Sequence, residues 1–517
     1  MKRLLPGLAL SLVCVISLVG TSVCLAADAP EIRTPKPGPL PRITGPSVFG
    51  VRPGSPFFYR IPATGDRPMT FSVAHLPSGL KFDPSTAQIT GSLSKPGEHV
   101  ILLRAKNGKR QDEKKFRIVA GETIALTPPM GWNSWNCWGS HVDAEKVLKS
   151  ARAMAKSGLI EHGWSYINID DAWQGKREGK YHALQGNEKF PDMKALCQQI
   201  HALGLKPGIY STPWTTSYAN HPGGSSENPE GTWEKPTVEK KGRVNKKILP
   251  WAIGKYHFAT NDALQWAEWG IDYLKYDWNP NEEPETQEMY DALRHSGRDI
   301  IFSLSNNMPY TNAPVLSRIA NCWRTTGDIR DTWQSMSSKG FGQDKWEKYH
   351  SPGHWNDPDM LVVGIVGGWG GKPPKSSALT PDELYTHITL WCLVSSPLLI
   401  GCDLEKLDHF TMNLLSNDEV LAINQDALGT QATRVSQDDD LLVYARDLED
   451  GSKAVGLFNT GSNETATVSI KWSDLKLSGK LAVRDLWRQK DLGQCTGQFQ
   501  MPVAPHGAEL IRVSKVR

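Results

Sequence analysis

Residues 273–277 read Tyr-Leu-Lys-Tyr-Asp, a short and mostly apolar run that ends on a carboxylate. Similar runs recur through the middle of the chain, each followed by a stretch of about 10 to 15 residues with helical periodicity. Eight such strands are predicted, at residues 131–135, 166–170, 207–211, 273–277, 300–304, 321–325, 360–363 and 397–401. Alternating strands and helices favour a parallel sheet, and eight of these units predict a (β/α)₈ TIM barrel.

Two strand-rich segments flank the predicted barrel. Residues 30–120 contain short alternating runs between Gly and Pro turns, which predict an Ig-like β-sandwich module. Residues 431–517 return to the same pattern and predict a C-terminal antiparallel β domain. With the barrel at residues 125–430, the predicted fold class is multidomain, a central TIM barrel between two β domains.

The first 27 residues have the features of a signal peptide. Lys2 and Arg3 form a basic start, an apolar stretch runs from Leu8 to Val19, and small residues end the segment at Ala27. The apolar run is too short and too broken for a membrane anchor. We therefore expect a secreted or periplasmic protein that has no membrane association after signal removal.

The charge balance excludes strongly electrostatic partners. The chain has 517 residues and carries 58 Lys and Arg against 55 Asp and Glu, a formal net charge of +3. This charge is too small to predict binding to nucleic acid or to an anionic membrane surface. The cysteines lack the CxxC or Cys/His spacing of a metal site, so most of them are interpreted as buried thiols.

Polar and aromatic residues follow the ends of the predicted strands, where a TIM barrel builds its active site. In chain order they are Trp135, Asp170, Asp171, Tyr210, Lys275, Asp277, Arg324, Asp328, Trp355 and Asp359. A single aspartate after a strand is more often a turn or helix cap, but this many at one end of a barrel predict a site. Of the 19 Trp residues, 17 lie between Trp132 and Trp391, and aromatic faces beside carboxylates suit an oligosaccharide or polysaccharide substrate.

Glycoside hydrolysis needs two carboxyl groups beside the scissile bond, and Asp277 and Asp328 are the predicted pair. Lys275 would keep Asp277 ionised at neutral pH and ready to attack the anomeric carbon. A mobile loop and a neighbouring carboxylate would raise the pKa of Asp328 so that it holds a proton, with Arg324 orienting it. The alternative for Asp328 is the cap of a helix that begins near Ile329.

Metal chemistry is the main alternative to this mechanism. The acidic pairs at residues 170–171 and 357–359 are of the kind that binds a divalent cation in sugar-nucleotide transferases. However, the sequence has no Gly-rich phosphate loop and no histidine cluster near them. These absences argue against a metal-dependent mechanism.

Six motifs, in order, resemble glycoside hydrolase family 27, the α-galactosidase family, over roughly residues 125–430. They are Pro129-Met130-Gly131-Trp132-Asn133-Ser134-Trp135, Ile169-Asp170-Asp171-Ala172-Trp173, Gly208-Ile209-Tyr210-Ser211, Leu274-Lys275-Tyr276-Asp277, Trp323-Arg324 through Asp328, and Trp355-Asn356-Asp357-Pro358-Asp359-Met360. The resemblance implies a retaining mechanism with a covalent glycosyl-enzyme intermediate, and it implies neither a metal ion nor an organic cofactor. In that mechanism Asp277 is the nucleophile and Asp328 is the acid and then the base.

The same resemblance implies roles for the sugar-binding residues. Asp170 and Asp171 would bind O4 and O6 of the terminal sugar, with Lys275 near O3 and O4. Trp135 and Tyr210 would line the sugar, and Arg324 would reach O2. The predicted substrate-binding set is completed by Asn306, Trp355 and Asp359.

The chain departs from the family pattern in three places. Ser305–Asn307 replaces the usual Cys-Glu-Trp after the fifth strand, so recognition of the C2 substituent falls to Asn306 and stays open. Trp278 and Asn279 stand where a cysteine usually follows the nucleophile, so the family's disulfide at this point is missing. The loop at residues 212–260 is longer than usual and would shape the leaving-group side of the pocket.

Three functions remain compatible with these residues. The first is a secreted retaining α-galactosidase that hydrolyses terminal α-D-galactosyl residues. The second has the same fold with a related specificity, as β-L-arabinopyranosidase, α-N-acetylgalactosaminidase or isomalto-dextranase. The third is a catalytically silent glycan-binding protein, which the presence of both carboxyl groups of the pair argues against. The oligomeric state is not predicted.

Overall fold

The structure is a computed structural model that describes residues 30–108, 110–233, 251–368 and 373–516. The predicted signal peptide at residues 1–27 lies outside these described residues. Within the described part of the chain, no helix is both long and apolar enough to span a membrane.

A curled parallel sheet of eight strands forms the centre of the protein and confirms the predicted TIM-barrel fold. Its strands are β1 Met130–Asn133, β2 Tyr166–Asn168, β3 Lys206–Ser211, β4 Tyr273–Asp277, β5 Ile301–Ser305, β6 Cys322–Arg324, β7 Trp355–Asp357 and β8 Leu398–Ile400. The strands pair in parallel in the order β7-β6-β5-β4-β3-β2-β1-β8. Their carboxyl ends therefore open on one face.

The seventh strand lies upstream of its predicted position. The sequence predicts it at residues 360–363, whereas the structure places it at Trp355–Asp357, paired with β6. Pro358 has no N–H for a strand ladder, and Asp359 adopts a positive φ of 105°, so the strand ends there. Leu361 then makes a single parallel bridge to Ile400, which links β7 to β8 and closes the barrel.

Helices surround the barrel. In the described residues the α-helices are Trp135–Trp138, Ala144–Ser157, Met193–Ala202, Ala259–Trp269, Glu283–Arg294, Ala313–Ile319, Trp333–Gly340, Pro381–Leu393, His409–Leu415 and Asp418–Asn424. Polar caps define several of their first turns. Asp143 accepts from the Lys146 N–H, and Thr380 forms a capping box with Glu383.

The N-terminal module is built from two antiparallel-rich sheets around an apolar core. One sheet contains Val48–Val51, Arg110–Ala120, Gly97–Asn107 and Thr70–Ala74, and the other contains Pro56–Arg60, Gln88–Ser92 and Leu80–Asp83. Ile61, Ile89, Leu103 and Phe116 are fully buried between them. The module therefore has its own hydrophobic core, as the sequence predicts.

The C-terminal region is an antiparallel β domain, also as predicted. Its six-stranded sheet contains Thr433–Asp438, Leu441–Asp447, Lys453–Asn459, Ala508–Lys515, Lys480–Asp485 and Lys490–Thr496, and a second sheet pairs Ala466–Lys471 with Gln498–Val503. This domain covers the helix Pro381–Leu393, where Trp487 donates its indole N–H to Thr389 Oγ1 at 2.8 Å. The helix is consequently buried along most of its length.

Ion pairs join the N-terminal module to the barrel. Arg52 donates to Asp299 through its side chain and its backbone N–H, and Ser55 Oγ donates to the same carboxylate at 2.9 Å. Arg60 pairs with Glu161 at 2.7 Å. Asp299 precedes β5 and Glu161 precedes β2, so the module covers the amino-terminal ends of the strands. It therefore lies against the floor of the barrel, away from the face where the strands end.

The Asp299 contact can be tested by substitution. Asp299→Ala should lower the free energy of unfolding by about 2–3 kcal/mol, because it leaves the partly buried Arg52 guanidinium without its carboxylate. The measurement is thermal and urea unfolding of the purified protein. Glu98→Ala, which removes an exposed carboxylate from the same module, is the matched control and should unfold like the wild type. Identical unfolding of both variants would show that the module does not brace the barrel through Asp299.

Candidate active site

A cavity of about 780 Å³ opens where the barrel strands end. Ten of the eleven predicted site residues line it, namely Trp135, Asp170, Asp171, Tyr210, Lys275, Asp277, Asn306, Arg324, Asp328 and Asp359. Residues so distant in sequence share one cavity because the carboxyl ends of parallel strands converge on one face of a barrel.

Trp355 is the one predicted residue that the structure places elsewhere. It begins β7 and does not follow a strand, so it lies inside the barrel, where it packs with Tyr166 and Tyr273. Its side chain is 0% exposed, and its indole N–H donates to the Ala125 carbonyl at 2.8 Å. The displaced seventh strand explains this difference. Trp355 occupies a packing position without access to the cavity.

Asp170 is held by three donors at the end of β2. Its Oδ2 accepts from the Asn133 side-chain amide and from the Lys275 ammonium, both at 2.8 Å, and its Oδ1 accepts from the Asp171 N–H. The carboxylate is 2% exposed. A buried carboxylate requires such compensation, so Asp170 and Lys275 form one preorganised unit in the cavity wall.

Asp171 holds the loop that follows β3. Its Oδ2 accepts from the Ala219 N–H at 2.8 Å, and its Oδ1 accepts from the Ala172 N–H and from the Gln174 amide. Burial raises its pKa, and these donors oppose the rise. Within the described residues, no three His, Cys, Asp or Glu side chains form a potential metal-binding group. The acidic pair at residues 170–171 instead binds protein donors.

Asp277, at the end of β4, has no ion-pair partner among the described residues. It is 7% exposed, and its Oδ1 has no hydrogen-bond partner there. Burial raises its pKa to about 7, and the favourable charge of Lys275 only partly offsets this because Lys275 already pairs with Asp170. The sequence-based expectation that Lys275 keeps Asp277 fully ionised at neutral pH is therefore wrong in the unliganded protein.

Asp328 lines the same cavity and lies in the loop after β6. Its side chain is 75% exposed, and Arg324 donates to it at 3.3 Å and to the buried Asp359 at 2.8 Å. Partial burial would raise the pKa of Asp328, but the charges of Arg324 and Lys275 outweigh this and lower it. The prediction of a raised pKa at Asp328 is therefore also wrong for the unliganded protein.

Asp328 does not cap a helix. The next helix is Trp333–Gly340, and its cap is Thr332, whose hydroxyl accepts from the Ser335 N–H. Asp359 instead fixes the loop of Asp328, because its Oδ2 accepts from the Ile329 N–H at 2.7 Å. The loop therefore holds Asp328 toward the cavity without committing its carboxylate to a helix terminus.

Four buried polar atoms at the ends of β3 to β6 have no hydrogen-bond partner among the described residues. They are the Tyr210 hydroxyl, Asp277 Oδ1, Ser305 Oγ and Arg324 Nε. Buried polar atoms in native proteins are nearly always satisfied. Tyr210, Asp277 and Arg324 line the cavity, so these three unpartnered atoms are available to the hydroxyl groups of a polar ligand.

Sequence reasoning missed several residues that also line the cavity. Tyr218 and Lys375 are two of these, and Asn133 contributes indirectly by donating to Asp170. Tyr218 lies within the long loop at residues 212–260. The unusual length of this loop was the feature of the sequence that could have pointed to Tyr218. Lys375 belongs to a hairpin of Ile365–Val366 and Lys375–Ser376, which no sequence motif marks.

Family profiles cover most of the chain. The profile for α-galactosidase A matches residues 127–230 and 244–426, more than half of the chain. The chain belongs to glycoside hydrolase family 27, the α-galactosidase family. The profile for the α-galactosidase C-terminal β-sandwich domain matches residues 438–513, and an Ig-domain profile matches residues 40–121. The family 27 protein is thus a glycoside hydrolase with two appended β regions.

Relatives of this family 27 protein include enzymes of more than one specificity. α-Galactosidase 2 of Arabidopsis thaliana is 36% identical over 412 residues, which cover 78% of this chain and 93% of the relative. A Bacteroides fragilis protein provisionally assigned as an α-galactosidase superposes with a TM-score of 0.80 at 32% identity, covering 92% and 98% of the two chains. A β-L-arabinopyranosidase of Geobacillus stearothermophilus superposes with a TM-score of 0.63 at 30% identity, covering 76% and 98%.

The raised pKa of Asp277 predicts a stability cost for the family 27 protein. A carboxyl with a pKa of about 7 in the folded protein and 3.8 when unfolded makes folding less favourable as pH rises from about 4 to 7. Asp277→Asn should therefore raise the unfolding temperature at pH 8 and raise it less at pH 5. The full gain is on the order of 4 kcal/mol.

Asp170→Asn is the matched control, because its carboxylate is paired with Lys275. It should destabilise the protein at both pH values, and differential scanning calorimetry compares the two variants. If Asp277→Asn lowered the unfolding temperature at pH 8, Asp277 would have a stabilising partner that this geometry does not contain.

Proposed function

We propose that this family 27 hydrolase is an exported, retaining α-galactosidase that removes terminal α-D-galactosyl residues by double displacement. The observation that carries the proposal is that an unpartnered, buried Asp277 and an exposed, Arg324-bound Asp328 line one cavity. One carboxyl group has its oxygen available for the anomeric carbon, and the other faces solvent where a leaving group departs.

In the first step, Asp277 attacks the anomeric carbon while the bond to the glycosidic oxygen breaks. Asp328 gives its proton to that oxygen, and an ester forms between the sugar and Asp277. Positive charge develops on the sugar ring during this step. A carboxylate without a salt-bridge partner stabilises that charge more strongly than a paired one, because none of its charge is already neutralised.

In the second step, Asp328 removes a proton from water and the water oxygen attacks the anomeric carbon. Asp277 leaves as a carboxylate, so the sugar departs with its original configuration. Two inversions at one carbon give net retention.

Substrate binding must reverse the protonation of the two carboxyl groups. In the unliganded site the shared proton resides mainly on Asp277, whereas catalysis needs it on Asp328. A bound sugar removes water from Asp328, which raises its pKa, and brings hydroxyl donors to Asp277, which lowers its pKa. The productive proton distribution is thus favoured only when substrate fills the site.

The remaining residues are assigned to the terminal sugar. Asp170 and Lys275 present a fixed acceptor and donor pair to vicinal hydroxyl groups, and Tyr210 offers a free hydroxyl beside an aromatic face. Trp135 and Asn306 line the same cavity. Asp171 also lines the cavity, and like Asp170 it already accepts from three protein donors through both of its oxygens.

A second candidate specificity is β-L-arabinopyranoside hydrolysis. That sugar shares the ring configuration of galactose without the substituent at C5, and a β-L-arabinopyranosidase is among the structural relatives. Both activities require the same carboxyl pair. Substrate rates distinguish them.

The substrate proposal is tested with matched aryl glycosides. The mature protein should hydrolyse an aryl α-D-galactopyranoside at least about tenfold faster, in kcat/KM, than the β-L-arabinopyranoside or the α-N-acetylgalactosaminide. NMR of the first product should show α-galactose. Asp277→Ala is the control for a contaminating hydrolase and should be inactive on all three. Faster hydrolysis of the β-L-arabinopyranoside or of the α-N-acetylgalactosaminide would assign that specificity to the enzyme instead. β-Galactose as the first product would refute the retaining mechanism.

The pH dependence of kcat/KM tests how protons are distributed between Asp277 and Asp328. The wild-type profile should be bell-shaped with an alkaline limb near pH 7, because one shared proton is required and is lost as the pair becomes fully ionised. Asp328→Asn, assayed on an aryl α-galactoside with a good leaving group, should lose the alkaline limb. Its rate should rise with an apparent pKa slightly below 7, since the negative charge of Asp328 that helps raise the Asp277 pKa is gone. A flat profile between pH 5 and 8 in this variant would contradict a raised pKa at Asp277.

A further inference from the structure

Aromatic rings of the loop after β3 extend from the cavity wall to an exposed position. Tyr218 lines the cavity together with Asp277 and Asp328. Its ring packs edge-on against the buried Trp214, with centroids 5.1 Å apart, and the ring of Trp251 lies 6.1 Å from it. Trp251 is 51% exposed. A tryptophan this exposed, packed beside a residue of the cavity wall, offers a free apolar face to a ligand that extends out of the cavity.

The backbone holds this row in place. Trp214 forms an antiparallel bridge with Ile253, and the Thr215 N–H donates to the Ala252 carbonyl at 2.8 Å. The Ala219 N–H donates to the buried Asp171, which fixes the residue after Tyr218 to the cavity wall. Backbone hydrogen bonds on either side of Tyr218 and next to Trp251 therefore hold these two rings in position.

We propose that Tyr218 and Trp251 form the subsite for the leaving-group sugar, a pyranose joined to the terminal galactose through the scissile bond. This inference rests on the proposed function and specifies the substrate as an oligosaccharide with an α-galactosyl end. Pyranose rings present a face of C–H groups that packs on aromatic rings, and the Tyr218 hydroxyl adds a polar contact at the inner end.

The position of Asp328 sets the direction of the leaving group. A proton donor must face the glycosidic oxygen, so the second sugar lies on the Asp328 side of the cavity. Burial and the charges of Asp277 and Asp328 raise the pKa of Tyr218, consistent with a hydroxyl close to both carboxyl groups. The second sugar would thus contact Tyr218 first and Trp251 beyond it.

The cavity size agrees with more than one ring. Its volume of about 780 Å³ lies toward the upper end of the range for pockets that enclose drug-sized ligands, about 300–1,000 Å³. The residues around Asp170, Lys275 and Asp277 account for the inner end, so the outer space is available to a leaving group.

The test compares melibiose, which carries a glucose leaving group, with α-D-galactosyl fluoride, which has no leaving-group sugar. In Trp251→Ala, kcat/KM for melibiose should fall about 3–10-fold relative to kcat/KM for the fluoride, through a higher KM. Trp251→Phe keeps an aromatic face and should recover most of that ratio. Tyr218→Phe separates the contribution of the hydroxyl from that of the ring.

Leu40→Ala truncates an exposed apolar side chain on the N-terminal module and should leave both substrates unaffected. Equal losses on melibiose and fluoride in Trp251→Ala, or an unchanged ratio, would overturn the subsite and leave the proposed function intact. A wild-type protein that hydrolyses neither substrate would instead overturn the proposed function, and the subsite with it.

Discussion

The active site contains fewer cationic side chains than buried carboxyl groups, and this shortage is the constraint that organises it. Lys275 is paired with Asp170, and Arg324 is shared between Asp359 and Asp328. Asp277, like Asp171 and Asp357, has no ion-pair partner among the described residues, and burial raises the pKa of Asp277 to about 7. An unsatisfied carboxyl therefore lines the cavity, and the rest of the fold supplies the stability that this arrangement costs.

The two ends of the barrel have different roles, since one end contributes stability and the other end carries the candidate site. At the floor, the N-terminal module adds ion pairs such as Arg52 with Asp299 and an apolar core of its own. At the mouth, the ends of β3, β4 and β6 carry polar atoms of Tyr210, Asp277 and Arg324 that have no hydrogen-bond partner among the described residues. Packing at the floor does not depend on the residues at the mouth. Buried carboxyl groups at the mouth can therefore lack a cationic partner while the barrel remains folded. TIM-barrel enzymes in general separate stability and activity in this way.

Much of this arrangement was predictable from residue order. Eight apolar runs ending in polar residues were enough for the barrel, and ten of the predicted side chains do meet in one cavity. The seventh strand was misplaced because the apolar residues after Pro358 outweighed the missing N–H of that proline, and Trp355 was misassigned with it. Protonation was predicted in the wrong order for both carboxyl groups. It depends on exposure and on which acid each cation already binds, and neither is visible in a linear sequence.

The proton on Asp277 couples ligand charge to solution pH. A cationic sugar mimic seated beside Asp277 would favour its ionised form, and the displaced proton would pass to the buffer. Its affinity would therefore increase as pH rises toward 7, and the heat of binding would vary with the ionisation enthalpy of the buffer. A neutral mimic of the same shape would release no proton. The unpaired carboxyl thus makes this site selective for inhibitor charge as well as inhibitor shape.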